Sequence, residues 1–124
     1  MNRALRLAYT TAGQLARLAA ALAPVGERPN GGKLVRALRA RHGIRARYAA
    51  WAGQRDLSRP LLWMHAPSVG EALQARPILD RLRRQYPEVQ LAFTFFSPSA
   101  EALANALPVD FADYLPFDTA GDVR

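Results

Sequence analysis

Residues 61–107 carry a strand–turn–helix plan twice in succession, and that repeat restricts the possible folds more than any other feature of the chain. Leu61-Leu62-Trp63-Met64-His65 is an apolar run directly after Pro60, which lacks an amide donor and can only precede a strand. Such a run reads as a short buried strand of parallel-sheet type. A polar turn follows, then a helix over 69–85 in which Leu73, Pro77, Ile78 and Leu82 fall at helical spacing. Pro77 is expected to kink that helix or start a new segment, and Tyr86-Pro87 ends it. The second unit has a strand over 89–96, a Ser97-Pro98-Ser99 turn and a helix over 100–107. Ser97 suits the N-cap and Pro98 the first helical position. A third strand, 111–115, leads into Pro116-Phe117-Asp118.

Strand, helix, strand, helix, strand predicts an α/β fold built on a parallel sheet. Ligands of such sheets collect at the carboxyl ends of the strands. Three turns are therefore expected to converge: 65–71, 97–99 and 116–118. Three short strands alone leave edges and faces that should be covered, which predicts a partial Rossmann-like sheet over 61–124.

Upstream of Pro60 the character changes. Residues 1–60 hold 12 Lys/Arg against 2 acids, a net +10, whereas residues 61–124 hold 5 against 8, a net −3. The basic half needs an anionic partner or plain solvent. Residues 1–23 read as a helix ended by Pro24, with Arg3, Arg6, Thr10, Gln14 and Arg17 on one arc and Leu and Ala around the rest. Arg17 interrupts the apolar run, which argues against a secretory signal and against a membrane span. A helix lying in a membrane interface or packed on a partner suits it better; the alternative is a soluble helix covering a core. Residues 24–60 form a basic helical segment: a Pro/Gly/Asn loop, then helix over 33–54 broken near Gly43, then a turn over 56–60. Lys33, Arg36, Arg39, Arg41, Arg45 and Arg47 lie along that helix. Charge is all that supports nucleic acid as its partner. Anionic lipid head groups satisfy the same electrostatics, at roughly 1 kcal/mol per basic residue near a surface, and a solvated basic face is the plain alternative.

There is no cysteine, which removes disulfides, thiol catalysis and Cys-ligated zinc. His42 and His65 are the only histidines, so no metal site is expected, and no cofactor.

The first turn holds the candidate chemistry. Ser68-Val69-Gly70-Glu71 has the spacing of a capping box, in which Ser68 accepts from the amide three residues on and Glu71 reaches back to the Ser68 amide. The same position suits Glu71 as a general base, because a helix N-terminus stabilises its ionised form. Gly70 would let a substrate approach the backbone, and His65 could donate or accept a hydrogen bond. Spacing alone favours the cap.

His65-Ala66-Pro67-Ser68-Val69-Gly70-Glu71, after Leu62-Trp63-Met64, closely resembles the motif of bacterial 3-deoxy-D-manno-octulosonic acid (Kdo) transferases. Phe95-Phe96-Ser97-Pro98-Ser99-Ala100-Glu101 and Tyr114-Leu115-Pro116-Phe117-Asp118 resemble that family's next two landmarks, in order and at fitting separations. The likeness covers roughly residues 33–124. It implies the acceptor-side, amino-terminal domain of a GT-B glycosyltransferase with two facing Rossmann-like domains. That family moves Kdo from CMP-Kdo to the lipid A precursor, with inversion, at the cytoplasmic face of the inner membrane. By this resemblance Glu71 is the general base, and His65, Ser68, Gly70, Ser97 and Ser99 are substrate-binding. Further strands of the domain and the CMP-binding domain do not follow Arg124, so a truncated chain, inactive alone, is expected. A Thr-rich turn in many members is Phe-Ser-Pro-Ser here. The competing expectation is a non-catalytic basic module that binds anionic membrane lipid.

Overall fold

The structure, a computed structural model, describes residues 32–117 together with the single position Leu15. The helix expected over 1–23, the loop after it and Asp118 therefore lie outside the described residues, Leu15 apart. The chain divides into two compact units, Ala46–Leu115 and a smaller one of Met1–Arg45 with Pro116–Arg124.

In the smaller unit, helix α1 spans Lys33–Ala40. Arg39 in its last turn complements the negative end of the helix dipole. The chain leaves α1 through Arg41–Gly43 and enters helix α2, Ile44–Gln54, where the sequence predicts a break. Gly43 makes this possible, since its φ of 67° is a left-handed conformation that costs glycine little. Arg41 is buried, returns Nη1 to the Ala37 carbonyl at 3.0 Å and lies 4.7 Å from the ring centroid of Phe117. One of the basic residues expected to face solvent or a partner is thus spent inside its own unit.

The larger unit is built on a three-stranded parallel sheet, β1 (Leu61–His65), β2 (Gln90–Phe95) and β3 (Phe111–Tyr114), in the order β1-β2-β3. Leu61 pairs with Gln90 and His65 with Thr94, while Ala92 pairs with Phe111 and Phe95 with Tyr114. The turn before β1 is tied by Asp56, whose Oδ1 accepts from the amide and the hydroxyl of Ser58, and the Pro60 carbonyl joins the ladder by accepting from the Gln90 amide. β2 is central and buried throughout. Leu91, Phe93 and Phe95 are its largest apolar contributions to the core, each stabilising the fold by about 1.5–3 kcal/mol.

Helix α3 (Val69–Gln85) joins β1 to β2, and a 3₁₀ turn (Pro98–Ala100) with helix α4 (Glu101–Ala104) joins β2 to β3. α3 packs on the 3₁₀ turn and α4, and α4 on β2 and β3. On that side Phe95 meets Tyr114 at 4.4 Å between ring centroids, and the Tyr114 hydroxyl donates to Glu101 at 2.9 Å.

Three expectations need correction. α3 buries Ala72, Ala75 and Leu79, leaving Leu73 54% and Ile78 53% exposed. α3 also runs as one helix through Pro77, so no new segment starts there. Finally, β1 is not buried on both faces: Leu61, Trp63 and His65 are exposed while Leu62 and Met64 are half-buried, because β1 is an edge strand with one face largely open.

The other half of that face is covered by the Ala46–Gln54 part of α2. Trp51 stacks on Phe111 at 4.6 Å and 17°, and Tyr48 meets the same ring edge-on at 5.0 Å. The Tyr48 hydroxyl donates to the Tyr114 carbonyl at 2.8 Å. Arg47 grips buried Asp113 with Nε–Oδ2 2.6 Å and Nη2–Oδ1 2.9 Å. That bidentate bond, more than the cost of burial opposing it, raises the Arg47 pKa above its ordinary value. A second basic residue of the expected charged face is therefore used in packing. Between α2 and β1 remains an open groove of about 180 Å³, with Tyr48, Trp51 and Phe111 on one side, Leu61 and Trp63 on the other, and Ala92 and Thr94 between.

Candidate functional site

The sheet's carboxyl end is organised by backbone before side chains matter. The Ala66 amide extends the ladder by donating to the Thr94 carbonyl at 3.0 Å. One residue on, the Pro67 carbonyl accepts from both Phe96 (3.3 Å) and Ser97 (3.0 Å). The turn after β1 is thereby bonded to the turn after β2, as the parallel plan requires. Of the third expected turn, Pro116 and Phe117 belong to the smaller unit and Asp118 is outside the described residues.

Ser68 is the N-cap of α3, with extended backbone at φ −130° and ψ 168°. The capping box with Glu71 is present, and its strength lies on the carboxylate side. Glu71 Oε2 accepts from the Ser68 amide at 3.0 Å and from the Ser68 hydroxyl at 2.5 Å. The Ser68 side chain faces the Glu71 amide in return, the reciprocal half of the box. Cap and carboxylate are thus one assembly, and Glu71 takes full part in the capping. Its second oxygen, Oε1, has no partner among the described residues, and the side chain is exposed at the positive end of the helix dipole. That leaves one carboxylate oxygen held and one open to accept a proton. A carboxylate held on one side is well oriented for general-base work.

Gly70 lies in the first turn of α3, exposed, and a Cβ built there would meet nothing within 4 Å. The space in front of that backbone is open. Ser97 and Ser99 stand together with their hydroxyl oxygens 2.7 Å apart, and Ser97 caps nothing with its side chain. The expected helix after them is short: a 3₁₀ turn and one turn of α-helix ending at Ala104. His65 is exposed at the end of β1, its Nδ1 3.0 Å from Thr94 Oγ1. The same hydroxyl accepts from Trp63 Nε1 at 2.8 Å.

Thr94 and Trp63 are the residues that sequence reasoning missed. The available signal was a hydroxyl near the carboxyl end of an otherwise apolar strand, Gln90-Leu91-Ala92-Phe93-Thr94-Phe95. Its meaning depends on the register that puts Thr94 beside His65. Among the described residues no group of three or more His, Cys, Asp or Glu could hold a metal ion. Also among them, no helix is long and apolar enough to cross a membrane.

Comparison with known proteins adds an independent line. The family model described as 3-deoxy-D-manno-octulosonic-acid transferase (kdotransferase) matches residues 22–124. The chain is 37% identical over 59 residues to a 3-deoxy-D-manno-octulosonic acid transferase of Haemophilus influenzae, covering 46% of this chain and 14% of that protein. It is 34% identical over 77 residues to one from Rickettsia bellii, covering 60% of this chain and 18% of that protein. A third, from Rickettsia felis, is 33% identical over 63 residues, covering 49% of this chain and 14% of that protein. The chain thus matches less than a fifth of the length of these curated relatives. No solved structure matches it significantly.

Proposed function

Because the chain belongs to the 3-deoxy-D-manno-octulosonic-acid transferase family, we propose that it supplies the acceptor side of an inverting glycosyltransferase of GT-B type. The reaction is transfer of Kdo from CMP-Kdo to a lipid A precursor in lipopolysaccharide biosynthesis, at the cytoplasmic face of the inner membrane. Glu71 is the general base: Oε1 takes the proton of the acceptor hydroxyl as that oxygen attacks the anomeric carbon and CMP departs. Ser68 orients the carboxylate through Oε2. Gly70 keeps the approach clear, and His65, Ser97 and Ser99 contact substrate around it. We assign the CMP portion of the donor to sequence beyond this segment, in keeping with the greater length of the relatives. In the same reading, residues 1–23 act as a membrane-associating helix, 24–60 as a basic helical segment and 61–124 as part of a Rossmann-like acceptor-side domain.

The observation that carries the reading is Glu71, held at the sheet's carboxyl end by one carboxylate oxygen and open at the other. The test is a chimaera in which residues 61–115 replace the matching segment of the Haemophilus influenzae relative, assayed for Kdo transfer from CMP-Kdo to a lipid A precursor. Transfer by the chimaera and its loss on Glu71→Gln support the proposal. Equal turnover with Glu71→Gln leaves Glu71 only its capping role.

A second reading, a non-catalytic module on anionic membrane lipid, is favoured by one observation, the net +10 of residues 1–60. It predicts binding without transfer.

A further inference from the structure

We propose that Thr94 is a positioning residue that fixes His65 as the neutral tautomer carrying its proton on Nε2, so that Glu71 is left as the proton acceptor of the turn. The inference rests on the reading above for its functional meaning, but its chemistry follows from counting donors around one hydroxyl. Thr94 is 1% exposed, and its Oγ1 has two partners among the described residues, Trp63 Nε1 at 2.8 Å and His65 Nδ1 at 3.0 Å. An indole nitrogen only donates, so the Trp63 contact uses a lone pair of Oγ1. The Thr94 hydroxyl has a single proton, and a buried hydroxyl proton requires an acceptor. Of its two partners only His65 Nδ1 can accept, which makes Nδ1 the unprotonated nitrogen and puts the ring proton on Nε2.

The parallel register creates this arrangement. Trp63 and His65 are two residues apart on β1 and share a face, and Thr94 is the register partner of His65 on the buried neighbouring strand. The chain Trp63–Thr94–His65 therefore runs from the open groove to the sheet's carboxyl end, with the direction of every proton fixed by the indole. The consequence is a division of labour. Nε2–H of exposed His65 can donate to an oxygen of a bound substrate but has no lone pair with which to take a proton. Oε1 of Glu71 has the lone pair and no proton.

The tautomer is read directly by two-bond ¹⁵N–¹H correlation spectra of the ¹⁵N-labelled full chain at mildly alkaline pH, where a neutral ring is observed. Loss of one signal set in His65→Gln distinguishes His65 from His42. Expected is the Nε2–H pattern for His65 in the parent chain and in Thr94→Ser, which keeps the hydroxyl. In Thr94→Val, which keeps the shape and loses it, the pattern should relax to a mixture of tautomers. A parent chain with the proton on Nδ1 overturns the proposal without reference to any variant. So does a folded Thr94→Val with an unchanged His65 pattern. The measurement needs no substrate, so a chimaera inactive in transfer would sink the functional reading and leave this result standing.

Discussion

Ser68 and Glu71 are joined twice at a single oxygen: the Ser68 amide and hydroxyl both donate to Glu71 Oε2, at 3.0 and 2.5 Å. The pair starts helix α3 and orients the carboxylate in one stroke. Glu71→Gln keeps the shape and a carbonyl for the Ser68 amide. It should therefore lower stability by less than about 1 kcal/mol while lowering Kdo transfer by the chimaera by roughly 10²–10⁴-fold. Thermal unfolding and initial-rate measurements on the same preparation separate the two effects.

Arg47 and Asp113 tie α2 to β3 by a bidentate bond in which the carboxylate is the buried partner, its side chain 8% exposed against 41% for the arginine. Removing Arg47 leaves that carboxylate, among the described residues, with the Tyr114 amide. Arg47→Ala should destabilise the chain by about 2 kcal/mol. This is less than the ~3–5 kcal/mol of a fully enclosed pair, because the guanidinium is partly open to water. Urea unfolding measures it, and a loss under about 0.5 kcal/mol would show that the pair adds no more than a surface one.

Asp110 is buried enough to raise its pKa, yet the hydrogen bonds from Arg83 Nη2 (2.8 Å) and the Leu91 amide (2.7 Å) outweigh burial and hold it below the ordinary carboxylate value. A lowered folded-state pKa stabilises the fold above the unfolded value of about 3.9 and loses that contribution as pH falls through the folded value. Stability should therefore drop on acidification below pH ~4. Asp110→Asn should be less stable at neutral pH and show a shallower acid limb in unfolding curves from pH 6 to 2.

Pro77 sits inside α3, exposed, without the amide that would bond back to Leu73. Proline in a helix interior costs ~3 kcal/mol, so Pro77→Ala should stabilise the chain by about 1–3 kcal/mol. The midpoint of thermal unfolding should rise. An unchanged or lowered midpoint would mean that the surrounding helix is already adapted to the proline.

Membrane association is testable without catalysis. The full chain should sediment with anionic vesicles at low salt and be released as ionic strength rises. A chain lacking residues 1–23 should bind markedly less. Equal binding by both would move the attraction to residues 24–60.

Much of the larger unit was legible because its periods are strong. The five-residue run behind Pro60 and the ends of the 69–85 helix fall where the sequence puts them, as does the Gly43 break in the smaller unit. The Ser-Val-Gly-Glu spacing announced the capping box, and the three ordered landmarks announced the family. What stayed hidden depended on partners far along the chain. Arg41 and Arg47 look like two more members of a basic face, yet Arg41 is buried beside Phe117 and Arg47, still exposed, is engaged by buried Asp113. Leu73 and Ile78 look like a core face, but the face that is buried carries Ala72, Ala75 and Leu79.

The sequence alone determined the strand and helix periods, the charge division near Pro60 and the place of the capped turn, since all of these are properties of neighbouring residues. Tertiary structure decided which face of α3 is inside and which arginines are spent on packing. It also decided that Pro67 bridges two turns and that Thr94 stands between Trp63 and His65. Those outcomes follow from the parallel register, which brings together residues about 30 positions apart and which no local pattern encodes.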